Sequence, residues 1–318
     1  MQHQADFWAH CIHTLKRKHR LALLVVVESQ GSSPGKAGAK MVIAADGARF
    51  GTIGGGQVEH DLAAQALDLI QQPDSCSRLF CVRHDGSGQV WGGRQTVLYY
   101  PCALNDLSLL QDIQGAFQQK QARQLVIDPE GMSVNKAIAE TREILFTDSA
   151  NVGWTYQELI GVVKTAYIIG GGHVSLALSQ VLALLDFDIV VIDLRDAVQT
   201  MQDNKFAKRK IIVPYSEINQ HINAGKQAYV FIMTHSHQTD QQVLAELWHR
   251  QFAYLGILGS RRKIKVLQQN LAETISKQHW QSIHAPIGLA INSQTPMEIA
   301  ISIAAEVISQ TNASERKP

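Results

Sequence analysis

Residues 168–173 read Ile-Ile-Gly-Gly-Gly-His, the order expected of a phosphate-binding turn. An apolar strand pattern leads into the glycines, and a helical pattern begins directly after them. Gly170 would permit a tight turn, and Gly172 would let a phosphate approach backbone amides at the positive end of the helix. Asp193 ends the next apolar stretch, where a dinucleotide-binding fold carries an acid for a ribose hydroxyl. The pattern predicts a Rossmann-like site for a pyrophosphate and a ribose.

Other interpretations of this turn stay open. Glycines there also serve close packing of a helix on a strand, so the nucleotide site could be empty or used for another ligand. Asp193 could cap its strand or pair with Arg195 instead of a ribose. A site that binds NAD would make the chain an NAD-dependent oxidoreductase, for which His235 is the evident acid–base residue.

Two further segments follow predicted strands and precede predicted helices. Thr234 and His235 would line the carboxyl edge of the parallel sheet, with Asp240 as the cap of the next helix. Residues 261–263 read Arg-Arg-Lys and follow Ser260, a natural helix cap. Basic residues in a first helical turn oppose the helix dipole, so we expect an anion or an acidic side chain to answer them.

A second glycine cluster, Gly54, Gly55 and Gly56, also joins a strand to a helix. Its backbone amides could hold an anion. Glu59, in the first helical turn, could face a ligand or merely stabilise the helix start. The preceding loop and strand offer hydroxyl and ammonium groups that would suit a phosphate or another oxyanion, although such a loop is often just a turn; these groups belong to Ser32, Ser33 and Lys40.

The sequence offers weaker support for metal or thiol chemistry. His235, His237 and Asp240 have a spacing found in metal-dependent hydrolases, but further ligands at convincing places are missing. The four cysteines, at 11, 76, 81 and 102, form no CxxC pair and fit neither a zinc ribbon nor a disulfide framework. Cys81 could carry sulfur or bind a soft metal, but a plain buried thiol is the simpler expectation. The sequence therefore does not identify any residue as a metal ligand.

Hydrophobic periodicity predicts the elements that must position these residues. In the first half we expect a helix over 6–19, a buried strand over 21–27, a hairpin over 41–53, a helix from 56 that ends before Pro73, and strands at 78–82 and 95–100. Residues 103–160 show weaker periodicity, and nothing there alternates strongly enough to begin a new core.

Beyond residue 163, apolar strands alternate with helices. The strands are expected at 165–169, 189–193, 210–213, 228–233 and 254–258, and the helices at 173–186, 238–250, 260–277 and 296–309. This rhythm implies a parallel sheet with helices on both faces. The predicted fold class is α/β: a C-terminal Rossmann-like doubly wound parallel sheet over 163–318, plus a smaller N-terminal α+β domain over 1–150.

Length and composition agree with two folded domains. The chain has 318 residues, of which 45% are apolar and 18% charged, which excludes a disordered or fibrous protein. The net charge of +1 gives no global field that would hold a polyanion, so we expect no nucleic-acid partner. The amino terminus lacks a signal-peptide pattern, and no stretch approaches about 18 uninterrupted apolar residues. We therefore expect a cytoplasmic protein with no membrane partner.

The order of these motifs along the chain resembles the XdhC/CoxI family of molybdoenzyme maturation factors. The resemblance runs from about residue 20 to 309 and is weakest over 103–160. It rests on Gly-Ser-Ser-Pro at 31–34, Gly-Ala-Lys-Met at 38–41, the glycine cluster with Glu59, Gly-Gly-Gly-His-Val at 170–174, Thr234-His235 with Asp240, Leu-Gly-Ser-Arg-Arg at 258–262, Pro-Ile-Gly-Leu at 286–289, and Pro296 with Glu298.

The resemblance implies a chaperone that is not itself an enzyme. Such proteins bind the molybdenum cofactor as cargo, protect it, assist its sulfuration with a cysteine desulfurase, and insert it into the large subunit of an apo-molybdoenzyme of the xanthine dehydrogenase and aldehyde oxidoreductase type. The overall pattern is most similar to members that handle the molybdopterin cytosine dinucleotide form. A cofactor nucleotidyltransferase and a second copy of the chain, in a homodimer, are further expected partners.

The residue patterns and the resemblance together predict one extended ligand held between the domains. Its pyrophosphate and ribose would contact Gly170, Gly172, His173 and Asp193, with His235 at the same sheet edge. Its metal end would contact the first domain, through Ser32, Ser33, Lys40, Gly54, Gly55, Gly56 and Glu59.

Overall fold

A computed structural model describes residues 2–31, 33–72, 74–83, 93–138, 143–149 and 153–315. The chain divides into two compact units, Met1–Val162 and Val163–Pro318. Within the described residues, no helix has both the length and the apolar character needed to cross a membrane.

The described residues of the first unit form two antiparallel sheets and three α-helices. Its elements are α1 (Gln2–Lys18), β1 (Arg20–Gln30), β2 (Lys40–Ala44), β3 (Arg49–Gly51), α2 (Gly56–Ile70), β4 (Arg78–Arg83), β5 (Arg94–Ala103), a short 3₁₀ helix (Leu104–Asp106), α3 (Leu107–Gln119), β6 (Arg123–Asp128), β7 (Gly131–Lys136), β8 (Ile144–Ser149) and β9 (Gly153–Ile160).

The strand β1 lies at the centre of the five-stranded sheet β3-β2-β1-β5-β4. Its apolar run is unbroken because both of its faces are covered. Leu24 and its neighbours on one face pack against α2 through Leu62. Leu23, on the other face, belongs to a core that includes Trp8 of α1 and Ile113 of α3. The glycine cluster before α2 is thereby fixed on a rigid sheet.

Residues 103–160 form α3 and a four-stranded sheet in the order β7-β6-β9-β8, although the sequence pattern there predicted no elements. These elements begin no separate core. Leu125 and Ile127 of β6 and Tyr156 of β9 join the core that contains Trp8. The pattern is weak because the apolar Val126 and Leu159 occupy partly exposed positions and the charged Glu158 a buried one, so apolar and polar residues do not alternate cleanly.

The second unit is a parallel sheet covered by helices. Its elements are β10 (Thr165–Ile169), α4 (His173–Leu184), β11 (Asp188–Asp193), α5 (Gln199–Gln202), β12 (Ala207–Ile212), a 3₁₀ helix (Tyr215–Gln220), β13 (Gly225–Ile232), α6 (His237–Leu247), β14 (Phe252–Ile257), α7 (Arg261–Asn270), α8 (Lys277–Trp280) and α9 (Pro296–Glu315).

The strand order β12-β11-β10-β13-β14, with every described pair parallel, confirms the predicted Rossmann-like doubly wound fold. One face of the sheet packs on α4 and α9, where Ile168 meets Leu178 and Ile303. The other face packs on α6 and α7 through Val243 and Leu267. The chain leaves β10 toward β11 and returns to β13 on the other side of β10. Ligands of such sheets bind at this change of direction, outside the carboxyl ends of the strands.

Candidate functional site

Gly170 is required where the chain leaves β10. Its φ is +108°, and an added Cβ would lie 2.3 Å from the backbone oxygen of Met233. Its amide donates to the Ile192 oxygen at 2.8 Å. The first glycine of the turn therefore serves a close approach between backbone segments that a side chain would obstruct.

Gly172 differs from Gly170 because it opens onto free space. It is the N-cap residue of the 12-residue helix α4, with φ −73° and ψ −172°, and no side chain caps the helix there. An added Cβ would meet nothing within 4 Å. His173, the first helical residue, is exposed. The positive end of α4 thus has room for an anion beside Gly172.

The Asp193 side chain is fully buried and already has partners. Its Oδ2 accepts from the Gly171 amide at 2.7 Å and from Arg195 Nη2 at 2.9 Å. Its Oδ1 accepts from the Arg195 amide and Nε, both at 3.0 Å. Burial would raise the pKa of Asp193, but these hydrogen bonds outweigh burial and lower it, so the carboxylate stays charged. Pairing with Arg195 is the arrangement in the structure, and the ribose role stays a prediction.

His235 lies exposed in the loop that follows β13, at the carboxyl edge of the sheet. The predicted cap role of Asp240 is wrong. Ser236 is the N-cap of α6, where its hydroxyl accepts from the Thr239 amide at 3.2 Å. Asp240 lies further into the helix and is fully buried, and its Oδ1 accepts from the Thr234 amide at 2.9 Å.

The other oxygen of Asp240 pairs with the ammonium group of Lys263. Lys263 Nζ also donates to the Leu258 oxygen at 3.0 Å. This is the acidic partner expected for the basic turn at 261–263. Ser260 caps α7 by accepting from the Lys263 amide at 3.2 Å, which confirms the predicted cap. The segments after β13 and β14 are therefore tied together at the carboxyl edge of the sheet.

In the first unit, the loop at 33–38 packs directly on the second glycine cluster. Gly54 has φ +131°, and an added Cβ would lie 2.6 Å from the Gly35 amide nitrogen. A Cβ on Gly35 would lie 2.0 Å from the Ile53 oxygen. The structure therefore brings together two segments that the sequence analysis connected only by their chemistry.

Glu59 supplies the anion for this second turn. Its Oε2 accepts from Thr52 Oγ1 at 2.6 Å and from the amides of Ile53 and Gly55, both at 2.9 Å. Burial opposes the charge of Glu59, but these hydrogen bonds outweigh it and lower its pKa. The geometry favours the simpler interpretation, in which Glu59 stabilises the turn and the helix start at Gly56.

Lys40 is buried and held by Glu158 of β9. Its Nζ donates to Glu158 Oε1 at 2.7 Å and to the Gly38 oxygen at 2.9 Å. Tyr156 donates its hydroxyl to Glu158 Oε2 at 3.1 Å. Sequence reasoning missed Glu158 because the pair joins positions 118 residues apart.

Of the two serines predicted to bind the cargo, only Ser33 is among the described residues. Ser33 donates its hydroxyl to the Gly35 oxygen at 3.2 Å, which is a local turn contact. Ser32 lies outside the described residues.

No group of three or more His, Cys, Asp or Glu that could hold a metal occurs in the part of the chain that the structure describes. Cys11 and Cys102 are buried, and burial raises the pKa of both thiols. Cys76 and Cys81 are exposed. The expectation of a buried Cys81 is wrong because β4 is an edge strand, where Arg94 Nη2 lies 3.7 Å from Cys81 Sγ.

Comparison with protein families identifies the chain. The model of the XdhC Rossmann domain matches residues 166–307. The model of the XdhC and CoxI family matches residues 14–79, and the two ranges together cover more than half of the chain. The chain belongs to the XdhC/CoxI family. The Rossmann match contains the Gly170–Gly172 turn, Asp193 and His235, and the other match contains the second glycine cluster.

Three curated relatives of this XdhC/CoxI protein span most of its length. YqeB of Escherichia coli (strain K12), described as uncharacterized, is 28% identical over 92% of this chain, which spans 43% of YqeB. A Bacillus subtilis (strain 168) protein, described as a probable xanthine dehydrogenase subunit, is 24% identical over 92% of this chain and 94% of the relative. The molybdenum cofactor insertion chaperone PaoD of Escherichia coli (strain K12) is 24% identical, over 90% of this chain and 82% of PaoD.

The fold is also found in a solved structure. The crystal structure of a xanthine dehydrogenase from Bacillus halodurans matches with a TM-score of 0.74 and 24% identity. The match covers 98% of this chain and 96% of the other. The likeness establishes the architecture of this XdhC/CoxI chain.

Proposed function

We propose that this chain is a molybdenum cofactor insertion chaperone. It binds the cofactor as cargo and transfers it to an apo-molybdoenzyme of the xanthine dehydrogenase and aldehyde oxidoreductase type. Membership in the XdhC/CoxI family and the similarity to PaoD support this role.

The observation that carries the proposal is the open N-terminus of α4 beside Gly172. It follows β10, next to the place where the strand order changes direction, and no side chain caps it. A pterin dinucleotide has a pyrophosphate, which backbone amides at such a helix end bind well. Gly170 and Gly172 would shape this site, His173 would border it, and Asp193 would hold the Gly171 amide in place.

The finer parts of the proposal concern the form of the cargo and the partners. We propose the cytosine dinucleotide form, sulfurated in concert with a cysteine desulfurase and supplied by the nucleotidyltransferase that makes it. Hydrolysis of the pyrophosphate bond in purified, loaded protein would release CMP from this form. Absence of CMP from a protein that contains the pterin would contradict the cytosine form and leave the carrier role intact.

The geometry gives less support to an NAD-dependent oxidoreductase. Such an enzyme needs a carboxylate free to accept from the ribose and an acid–base group held beside the nicotinamide. Asp193 is fully engaged, and His235 is exposed on a loop. Titration with NAD should give no saturable binding and no turnover of alcohols or aldehydes. Turnover would favour the enzyme.

The test of the carrier role uses protein purified from molybdenum-replete cells. Oxidation of the released ligand should yield pterin fluorescence, and metal analysis should find molybdenum. The Gly172→Leu variant should keep its fold, because its Cβ enters open space, and should lose most of the pterin. Gly115→Leu is a matched control, since Gly115 lies on α3 and a Cβ there meets only the end of the Gln119 side chain. Full pterin retention by a folded Gly172→Leu protein would overturn the proposal.

Contacts of the cargo with the first unit stay predictions. Lys40, Glu59 and the Gly55 amide already have internal partners, whereas Gly56 is exposed at the start of α2. Gly55 has open space where a Cβ would lie.

A further inference from the structure

The Asp193 carboxylate accepts from as many donors as it can accommodate. An ionised carboxylate offers roughly four lone-pair positions on its two oxygens. The Gly171 amide takes one, and the backbone amide, Nε and Nη2 of Arg195 take the others. The acid that in dinucleotide folds accepts from a ribose therefore has no position left for a hydroxyl.

The Arg195 side chain causes this saturation. Its two side-chain contacts occupy one lone-pair position on each carboxylate oxygen. The guanidinium is planar and binds the carboxylate through two nitrogens, a strong and directional arrangement. A neutral hydroxyl competes poorly with such a charged pair, since hydrogen bonds between ions are stronger than those to neutral donors.

Arg195 still has donors to offer a ligand. Its side chain is 41% exposed, whereas Asp193 beneath it is fully buried. Among the described residues, no hydrogen-bond partner is found for its Nη1. The guanidinium therefore presents a positive edge to solvent directly beside the Gly171 turn, where a phosphate oxygen would be recognised.

Two buried hydroxyls in the same unit also lack acceptors. Among the buried side-chain oxygens and nitrogens that the structure describes, Ser175 Oγ and Tyr215 OH have no hydrogen-bond partner. Ser175 lies in the first turn of α4, and each of these two residues is 2% exposed. Tyr215 is close enough to Asp193 and Arg195 for their charges to act on its hydroxyl. Unsatisfied buried hydroxyls are rare. One of these two lies on the helix that follows the glycine turn, and the other lies near the Asp193–Arg195 ion pair.

We infer that Arg195 determines the specificity of the Rossmann turn, by closing Asp193 to the ribose diol and directing the site toward the phosphate oxygens of a nucleoside diphosphate group. The inference rests on the proposed function and deepens it. It predicts that the turn binds a diphosphate whether or not the attached sugar has a 2′-hydroxyl.

The test compares cytidine diphosphate, its 2′-deoxy analogue and inorganic pyrophosphate by isothermal titration calorimetry on the full chain. The wild type should bind the two nucleotides within about twofold of each other. Arg195→Ala frees one position on each oxygen of Asp193, so cytidine diphosphate should become at least about fivefold tighter than the deoxy analogue. Pyrophosphate should bind this variant at least about fivefold more weakly. Arg262→Ala, which changes an exposed arginine of α7, should behave like the wild type.

A second variant is needed in case Arg195→Ala fails to fold, because that change removes the charged partner of the buried Asp193 carboxylate. Arg195→Gln keeps an amide donor and removes the charge, and it should weaken pyrophosphate binding at least about threefold. A wild type that prefers the ribonucleotide fivefold or more, or that binds neither nucleotide at millimolar concentration, overturns the inference. The inference is also overturned if folded Arg195 variants bind cytidine diphosphate and its 2′-deoxy analogue with the same ratio of affinities as the wild type.

These results are separable from the proposed function. Pterin retention with strong dependence on the 2′-hydroxyl would refute the role of Arg195 and leave the chaperone in place. Loss of pterin from the wild type, together with the expected nucleotide ratios, would refute the chaperone alone.

Discussion

Lys40 Nζ lies 2.7 Å from Glu158 Oε1, and the side chains are 7% and 5% exposed. The pair connects the start of β2 with β9, so it joins the two sheets of the first unit. We expect a lysine buried this deeply to stabilise the folded state, because removing either member of the ion pair would leave the charge of the other uncompensated away from water.

Lys40→Met should therefore lower the free energy of unfolding by about 3–5 kcal/mol. Urea denaturation would measure the loss. The double variant Lys40→Met with Glu158→Gln removes both charges and keeps an acceptor for Tyr156, so it should recover at least about half of that loss. A loss below about 1 kcal/mol in the single variant would show that Lys40 is free for another role.

Glu59→Gln should destabilise the first unit by about 1 kcal/mol, a modest value because the carboxylate is partly exposed. The amides of Ile53 and Gly55 lose a charged acceptor. The pKa of Glu59 in the folded chain lies below its usual 4.5, so its contribution is complete above that pH and is lost as the pH falls through the folded value.

Urea denaturation of the wild type and of Glu59→Gln at several pH values from 7 to 3 would measure how the Glu59 contribution to the free energy of unfolding depends on pH. The stability difference should shrink toward the acid end. Asp61→Asn, on the same helix and exposed, is the control for loss of a negative charge. A difference that stays constant down to pH 3 would contradict the assignment.

The two glycines that flank the Rossmann turn should respond oppositely to alanine. Gly170→Ala forces a positive φ on alanine and places its Cβ against the Met233 oxygen, at a cost of about 2–4 kcal/mol. Gly172→Ala has ordinary φ and free space, so it should change stability by less than about 1 kcal/mol. Thermal unfolding of both variants checks the contrast, and equal effects would refute it.

Lys263→Met should cost about 3 kcal/mol, because it leaves the fully buried Asp240 without its ammonium partner. Arg262→Met changes the adjacent exposed residue and should be nearly neutral. Chemical denaturation of the two variants side by side gives the comparison. Similar losses in both would mean that the Asp240 pair contributes little.

Much of the second unit could be predicted because its signals are local, although the helix expected over 260–277 ends at Asn270. The run that ends at Ile169 and the glycines that follow it specify a strand, a turn and a helix within about 20 residues. The sequence also offers the pairing of Asp193 with Arg195 as an alternative to the ribose role, since the two lie two positions apart. Local order along the chain thus located the candidate site.

The rest depends on distant contacts that the sequence does not reveal. Glu158 appears as one more acid in a polar stretch until the fold brings it to Lys40. Asp240 lies where a helix cap is expected. In the structure its carboxylate is instead paired with Lys263, which belongs to α7, the helix that follows the next strand. Charged residues are therefore assigned less reliably from sequence than glycine turns, since their partners are set by tertiary structure.

The core shared by Trp8 and Tyr156 has a consequence for synthesis of the chain. The first helix packs on β1 and α3, and α3 packs in turn on β9, so this core is complete only after β9 has left the ribosome. Contacts of such long sequence separation form slowly. We therefore expect nascent chains shorter than about 160 residues to expose part of this core and to engage general folding factors during translation.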